Sequence, residues 1–366
     1  MNNKNLYVDI HILQTVPPSN VNRDDTGSPK TAVYGGVTRA RVSSQAWKRA
    51  VRITFQDMFL PEQLGWRTKH IVDRMMEKIH ALDENAASDK LAVKALENAG
   101  LKIKSEKDGT GALFFLSGGQ AEALAKLIVQ GEKDKQKYKD ALKANPSVDI
   151  ALFGRMVADD ASLNYDAAVQ VAHSISTHAV QTEYDYFTAV DDCSPEDNAG
   201  AGHLGTVEFN SSTLYRYATV NVHELQSSLK EDVSSVVRGF AEAFIRSMPT
   251  GKQNTFANRT LPCFAYITVR TDQPVNMVGA FEEPVKALYG GGYEKESCKK
   301  LVDYANSCYS TFVRKPDYAY VISAARMSDN INTCEKTPAD LLNAETASLE
   351  DLLCHLENDV QKLLEE

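Results

Sequence analysis

Residues 34–52 read YGGVTRARVSSQAWKRAVR, which is a glycine turn followed by a short alternating segment and then a helical pattern. In the alternating part, Arg39 and Arg41 fall on one face of the predicted strand and apolar residues on the other. Ser43 or Ser44 is a typical N-cap residue, and apolar residues then recur at helical spacing. The run predicts a strand that leads into a helix, with cations on the outward side of both.

Further alternating segments flank this run. The first residues of the chain alternate apolar and polar side chains with a period of two, as a strand with one buried face does. A helix is predicted from about residue 160 to about residue 180. Strands interleaved with helices favour an α+β fold and are consistent with a ferredoxin-like core. The predicted core strands are 6–12, 38–42, 264–270 and 317–323.

The composition is typical of a globular protein. Of 366 residues, 43% are hydrophobic and 24% charged, and no apolar run reaches the roughly 18 residues that a spanning helix needs. The six cysteines form no CxxC pair and no secretory signal is evident, so reduced thiols and a cytoplasmic location are expected. These features argue against disulfide-rich, fibrous and membrane-spanning classes, and they predict neither a metal nor a cofactor.

Charge is distributed unevenly along the chain, whose net charge is −9. Residues 23–52 carry seven Lys and Arg against two Asp, whereas residues 335–366 carry nine acids against two Lys. Such a separation predicts a basic working surface and an acidic, helical, solvated end.

The basic segment has the features that a polyanion requires. Its cations could follow successive phosphates, and the serine cap would leave N–H groups at the positive end of a helix. The adjacent Gly35 and Gly36 would allow close approach of a backbone. Two alternatives remain at this point: a solvated amphipathic helix after a turn, and a small phosphate ligand, although no GxxxxGK[ST] or GxGxxG motif is present.

The chain resembles a known family in several ordered segments, and the resemblance covers nearly its full length. It is similar to the backbone subunit of the type I-E CRISPR Cascade complex (CasC family, RAMP superfamily). The likeness is loose over residues 53–145 and after residue 330. The matching segments are Asn22–Asp25, Pro29-Lys30, Tyr34–Gln45, Lys48-Arg49, Asp149–Leu152, Gly154–Met156, Ala172-His173, Thr177-His178, Asp185–Asp192, His203–Thr206, Glu208-Phe209 and Tyr215–Ala218.

The resemblance implies a hand-like α+β fold. A ferredoxin-like, RRM-type palm would comprise residues 1–55 and 180–335. It would carry a protruding thumb loop at about 188–218. A helical finger domain would be inserted at 56–180, and 336–366 would form an acidic helical tail.

The resemblance also implies a function, namely that of a crRNA-binding, self-polymerising scaffold that presents guide bases for pairing with target DNA in antiviral defence. The implied partners are crRNA, target DNA, other copies of the chain and the remaining Cascade subunits. Those subunits are the large subunit, the small subunit, the guide-end-capping subunit and the crRNA-processing endoribonuclease. Sequence reading would be left to base pairing, and no membrane contact is expected.

The family's contacts carry over to three sets of residues in this sequence. The palm would contact RNA phosphates without reading bases, while a flexible Met and an aromatic residue would hold a disrupted stack at each kink. A lysine stripe on a finger helix would contact target DNA, or would simply be a solvated face. The phosphate set is Arg23, Lys30, Arg39, Arg41, Ser43, Gln45, Lys48, Arg49 and Arg52. The kink and thumb set is Met156, Phe187, Thr188, Val190, His203 and Thr206. The DNA set is Lys135, Lys137, Lys139 and Lys143.

Two other functions are weighed against this one. Related CRISPR backbone subunits cleave target RNA through a loop aspartate, and Asp191 and Asp192 could serve in that way, but the closest resemblance is to the non-cutting type. His173 and His178 have no partnering carboxylate nearby in sequence and are expected to be structural. The third class is a module that polymerises without RNA. No catalytic residue is therefore predicted.

Overall fold

The structure is a computed structural model. It describes residues 5–85, 88–105, 107, 109–157, 160–189, 193, 203–229, 232–287, 291–324 and 336–366. The chain divides into two compact units. The first comprises Met1–Val51, Val171–Thr219 and Phe240–Glu366, and the second comprises Arg52–Gln170 and Val220–Gly239. The finger insertion expected from sequence, 56–180, differs from the second unit at both ends and lacks 220–239.

The described residues form the following strands and helices. The strands are β1 (Tyr7–Ser19), β2 (Thr31–Tyr34), β3 (Val37–Val42), β4 (Gly65–Thr68), β5 (Ile103–Ser105), β6 (Gly109–Thr110), β7 (Phe114–Ser117), β8 (Val169–Val171), β9 (Ser174–Ser176), β10 (Glu183–Ala189), β11 (His203–Asn221), β12 (Phe264–Arg270), β13 (Tyr318–Ser323) and β14 (Glu345–Thr346). The helices are α1 (Ser44–Thr54), α2 (Ile71–Leu82), α3 (Asp89–Asn98), α4 (Gly118–Val129), α5 (Lys135–Lys143), α6 (Val148–Phe153), α7 (Val222–Leu229), α8 (Val233–Arg246), α9 (Gln253–Phe256), α10 (Glu294–Thr311), α11 (Pro338–Leu342) and α12 (Leu349–Glu365).

A large mixed sheet is the framework of the first unit. Its strands follow the order β14-β13-β12-β1-β11-β9-β3-β2, and β10 pairs with β11. Strand β1 lies antiparallel to β12, from Tyr7 opposite Arg270 to Leu13 opposite Phe264. Strand β12 lies antiparallel to β13, which pairs in parallel with β14. The four strands predicted from alternation are present as β1, β3, β12 and β13, and the α+β class is confirmed.

The apolar faces of this sheet are covered within the unit. One cluster joins Phe264, Tyr266 and Phe281 to α10 through Leu301 and Val302. A second cluster surrounds Trp47 with side chains of β1, β3 and β11. Buried apolar side chains therefore fix the inner faces of strand β3 and of the start of α1.

The helix predicted over about 160–180 is wrong. A single 3-10 turn, Ala161–Leu163, is followed by β8 and β9, and Ile175 in β9 lies opposite Arg41 of β3. Val169, Val171 and Ile175 are β-branched residues that suit a pleated surface. Pairing with strands distant in sequence thus overrides the local helical pattern.

The acidic end is packed on the first unit along one face. In α12, Leu352, Leu353, Leu356 and Val360 are buried, while most of the acids are exposed or half-buried. The Tyr320 hydroxyl of β13 donates a hydrogen bond to Asp359. The segment contains α11, the short strand β14 and α12, and α12 is solvated only on its outer face.

The second unit is built on helices α2 to α5 around a small β4–β7 ribbon. Ser117 caps α4 in a reciprocal arrangement with Gln120, and Leu96, Leu124 and Tyr138 lie in the core. Among the described residues of both units, no helix has the length and apolarity needed to cross a membrane.

Candidate nucleic-acid interface

The loop that precedes β2 is ordered by its own polar side chains. The Asp24 carboxylate accepts hydrogen bonds from the Thr26 and Ser28 backbone N–H groups, at 3.0 Å each. The Asn22 amide oxygen accepts from both the backbone N–H and the hydroxyl of Ser43, at 2.9 Å each. The Ser43 hydroxyl is therefore engaged in fixing the loop to the start of α1, and the loop presents Arg23 to solvent.

Arg39 was predicted to project outward from β3, and this is wrong. Its side chain is fully buried, and its guanidinium donates to the carbonyl oxygens of Tyr34 (3.1 Å), Ser176 (2.9 Å) and Phe281 (2.8 Å). Burial lowers its pKa. The turn before it needs Gly35, whose φ is +59°, because a Cβ there would collide with a backbone oxygen at 1.7 Å. Arg39 thus fastens this edge of the sheet from inside.

Arg41, two residues further, is half-exposed. Its Nε donates to the Thr31 carbonyl oxygen at 3.0 Å, and its Nη1 lies 3.2 Å from Nδ1 of His173. Partial burial lowers the pKa of the His173 imidazole, and the charges of the nearby Arg41 and Lys30 lower it further. Lys30, Arg41 and His173 therefore form one cluster, called here the edge cluster.

His173, which is expected from sequence to be structural, is exposed and lies in the edge cluster. The available signal was the alternation of Val169, Val171 and Ile175, which is typical of strands; the place of His173 beside β3 follows only from the pairing of β9 with β3. His178 is structural, as expected. It is buried and stacked on Tyr293, and its Nε2 accepts from the Thr213 N–H at 3.1 Å.

Helix α1 presents Gln45 and Arg49 to solvent, with Lys48 half-buried. Burial of the Lys48 ammonium lowers its pKa. On the inner face, the Trp47 indole N–H donates to the Ser174 hydroxyl at 2.8 Å, which sets the orientation of the helix start. Gln45 and Arg49 are accordingly positioned for an external partner.

Arg52, near the end of the same helix, is the first residue of the second unit, and its partners lie in that unit as well. Its guanidinium lies 3.0 Å from the Asp149 carboxylate and stacks over the Phe115 ring at 4.4 Å. Asp149 is buried and also accepts from the Gly65 N–H at 2.9 Å. A phosphate contact by Arg52 would compete with this ion pair.

Met156 is 83% exposed, which argues against core packing. It follows Gly154, whose φ is +76°, and the buried Arg155, whose guanidinium donates to the Phe115 and Leu142 carbonyl oxygens. Burial lowers the pKa of Arg155 to about 10. The anchored arginine holds the turn so that the thioether points to solvent.

Strands β10 and β11 form an exposed two-stranded ribbon in the first unit. Phe187 lies opposite Gly205, and its ring covers that glycine, since a Cβ there would be 2.4 Å from the ring. Thr188 and Thr206 are exposed on the same ribbon. Of His203 only the strand is described. Val190, Asp191 and Asp192 lie outside the described residues. The ribbon also exposes Tyr184, Tyr186 and Leu204.

The predicted lysine stripe lies on α5 and is only partly available. Lys135 and Lys143 are exposed, but Lys139 pairs with Asp160 at 2.9 Å and Lys137 pairs with Glu132 at 2.5 Å. Hydrogen bonds from Ser162 and Lys139 lower the pKa of Asp160 to about 2.

The exposed and half-exposed cations before β2, on β3 and on α1 are called here the basic edge, and the chemistry available there is anion binding. In the described part of the chain, no carboxylate forms an ion pair with Arg23, Lys30, Arg41 or Arg49. Such cations can contact phosphate oxygens without first breaking an ion pair with a carboxylate. Within the same described ranges, no group of three or more His, Cys, Asp or Glu side chains could hold a metal ion.

Two solved structures to which this chain is similar are chains of RNA-guided complexes. The chain is 32% identical to a chain of a "CRISPR RNA-guided surveillance complex, pre-nicking", with a TM-score of 0.78, covering 96% of this chain and 100% of that chain. It is 29% identical to a chain of a "CRISPR RNA-guided surveillance complex", with a TM-score of 0.60, covering 95% and 99%. Both of these similar chains belong to CRISPR RNA-guided surveillance complexes.

A family model described as CT1975-like protein matches residues 8–353. The chain belongs to the CT1975-like protein family, and the resemblance to a CRISPR Cascade subunit family is confirmed. No curated protein matches the chain.

Proposed function

We propose that this chain is the crRNA-binding, self-polymerising backbone subunit of a type I-E CRISPR Cascade surveillance complex. The observation that carries the proposal is the basic edge of the first unit, where Arg23, Lys30 and Arg41 have no carboxylate partner in the described residues. The similar chains come from complexes described as RNA-guided, and an RNA backbone offers the regular series of phosphates that such an edge fits.

The organisation of the proposed subunit follows from its two units and the ribbon. The first unit would be the ferredoxin-like, RRM-type palm, and the second unit the helical finger domain. The β10–β11 ribbon would be the base of the thumb that reaches a neighbouring copy. Its exposed Tyr184, Tyr186 and Leu204 support this role, because an apolar surface of this kind is covered by a partner more often than left in water.

In this proposal the palm holds phosphates and base pairing reads sequence. Met156 and Phe187 would pack against bases at a kink in the guide. Their support is physical: both side chains are exposed, and a thioether and an aromatic ring suit an unstacked base. Between kinks the guide would pair with target DNA, and Lys135 and Lys143 on the finger would contact that DNA.

The remaining proposed partners are the large and small subunits, the guide-end-capping subunit and the crRNA-processing endoribonuclease. We propose that the subunit itself cuts nothing, works without a cofactor and acts in the cytoplasm. The alternative function, against which this proposal is tested, is cleavage of target RNA by a loop aspartate.

The experiment is a native gel-shift with purified protein on end-labelled single-stranded RNA and Mg²⁺, followed by a denaturing gel. We expect a ladder of regularly growing complexes, because each added copy covers a fixed length of RNA, and we expect full-length RNA at the end. RNase should collapse the assembly. Filaments that survive RNase would favour polymerisation without RNA. Shortened RNA that disappears with Asp191→Ala and Asp192→Ala would favour the nuclease.

A further inference from the structure

The edge cluster contains a histidine held against two cations. His173 immediately precedes β9, and pairing of β9 with β3 sets it beside Arg41. The distance from Arg41 Nη1 to His173 Nδ1 is 3.2 Å, while Arg41 Nε is fixed by the Thr31 carbonyl oxygen. His173 is exposed, so a ligand can reach the cluster from solvent.

The contact between Arg41 and His173 defines the protonation state of the imidazole. A guanidinium can only donate hydrogen bonds, so Nδ1 of His173 must accept and the ring proton lies on Nε2. Burial, then Arg41, then Lys30 lower the pKa of His173. In the described part of the chain, Arg41 on β3 and Lys30 before β2 are the charged groups that act on this ring. The free protein therefore holds His173 neutral at neutral pH.

We propose that His173 completes a phosphate site with Lys30 and Arg41, and that it takes up a proton when a phosphodiester of single-stranded RNA binds there. This inference rests on the proposed function. A phosphate oxygen replaces the imidazole as the acceptor for Arg41, which leaves Nδ1 open to a proton from solvent. The anion also offsets the two positive charges, so the imidazolium is stabilised and donates a third hydrogen bond to the phosphate.

The neighbouring His178 is not expected to take up a proton when RNA binds. Its Nε2 accepts from the Thr213 N–H, and its Nδ1 lies 2.9 Å from the Ala179 carbonyl oxygen. Both ring nitrogens are engaged inside the protein, and the side chain is buried. Proton uptake on RNA binding is therefore assigned to His173.

The test measures affinity for a short oligouridine, whose bases do not titrate in this range, between about pH 5.5 and about pH 8. For the wild-type protein, we expect the affinity to rise as pH falls, with a slope approaching tenfold per pH unit between the free and bound pKa values. His173→Gln should reduce this slope. The matched control is His80→Gln, on an exposed histidine of the second unit, which should keep the wild-type slope.

Calorimetry of the same binding in two buffers of different ionisation enthalpy counts the protons taken up. His173→Gln should take up fewer protons per bound protomer than the wild type at unchanged thermal stability. Equal proton uptake and equal pH slopes in both proteins would overturn this inference while leaving RNA binding intact. Absence of RNA binding by the wild-type protein at every pH would instead overturn the proposed function, and this inference with it.

Discussion

The interior of the sheet and its basic edge use the same charged residue types in opposite ways. Inside, Arg39, Arg216 and Arg270 are buried, and each donates to carbonyl, amide or carboxylate oxygens of the first unit. At the edge, Arg23 and Arg41 are exposed or half-exposed and have no carboxylate partner among the described residues. The contrast is sharpest within β3, where Arg39 and Arg41 are only two residues apart.

The difference shows that a cation contributes to a binding surface only if the fold has not already used its donors. An interior guanidinium replaces water with protein acceptors and thereby holds distant segments together. An edge guanidinium keeps donors that an external anion can accept.

The largest effect is expected from Arg39→Met. The substitution leaves the buried carbonyl oxygens of Tyr34, Ser176 and Phe281 without this donor, so unfolding should become easier by about 3–5 kcal/mol. The matched control is Arg41→Met, which should change the free energy of unfolding by less than about 0.5 kcal/mol. Urea unfolding followed by circular dichroism measures both. Similar losses in the two variants would break the comparison.

A second effect, on pH dependence, is expected from the interior carboxyl of Asp9. It is buried, accepts from the Tyr217 hydroxyl at 2.9 Å and from the Val275 N–H at 2.8 Å, and burial raises its pKa from 3.8 to about 6. The folded state thus binds this proton more tightly than the unfolded state. The stability that Asp9 contributes is complete below about pH 4 and is lost as pH rises through about 6, by roughly 2–3 kcal/mol.

The check on Asp9 is a pair of unfolding measurements at about pH 4.5 and about pH 7.5. The unfolding free energy of the wild type minus that of Asp9→Asn should be more positive at the lower pH, since only the wild type gains stability from protonation. A difference that stays constant with pH would mean that Asp9 is ionised in the folded protein throughout this range.

The smallest effect concerns α5, where the same distinction applies in the second unit. Lys139 is paired with Asp160, whereas Lys143 is exposed and has no carboxylate partner among the described residues. Lys143→Gln should weaken binding of target DNA by the assembled complex about two- to fivefold, and Lys139→Gln should weaken it less. Filter binding on non-complementary and complementary DNA measures this. A larger loss for Lys139→Gln would contradict the assignment.

The local sequence pattern was sufficient to predict the alternating strands β1, β3, β12 and β13 and the start of helix α1 at Ser44. The pattern could not predict that Arg39 is buried and Arg41 is half-exposed, because both lie on one face of β3. Only the segment around Phe281, which is distant in sequence, buries Arg39. The strands around Ile175 were missed for the same reason, since their partners come from elsewhere in the chain.

The candidate site was predictable in its location but less so in its composition. The concentration of cations in residues 23–52 indicates the candidate edge from sequence alone, because charge composition needs no tertiary information. The pairing of Arg52 with Asp149 and the place of His173 beside Arg41 depend on contacts between residues about a hundred or more positions apart. The packing of the acidic end also depends on tertiary contacts. The buried leucines of α12 show that charge alone does not define a solvated segment.

The central claim is that the edge cations bind RNA phosphates without reading bases. The most direct measurement is the salt dependence of affinity for single-stranded RNA, for the wild type and for Lys30→Gln combined with Arg41→Gln. Each neutralised phosphate contributes about 0.7 to the log–log slope. Since Lys30 and Arg41 hold one phosphate together, the slope of the double variant should be shallower by about 0.7, equally for RNAs of different sequence. Parallel salt dependences, or a loss confined to one RNA sequence, would contradict the account.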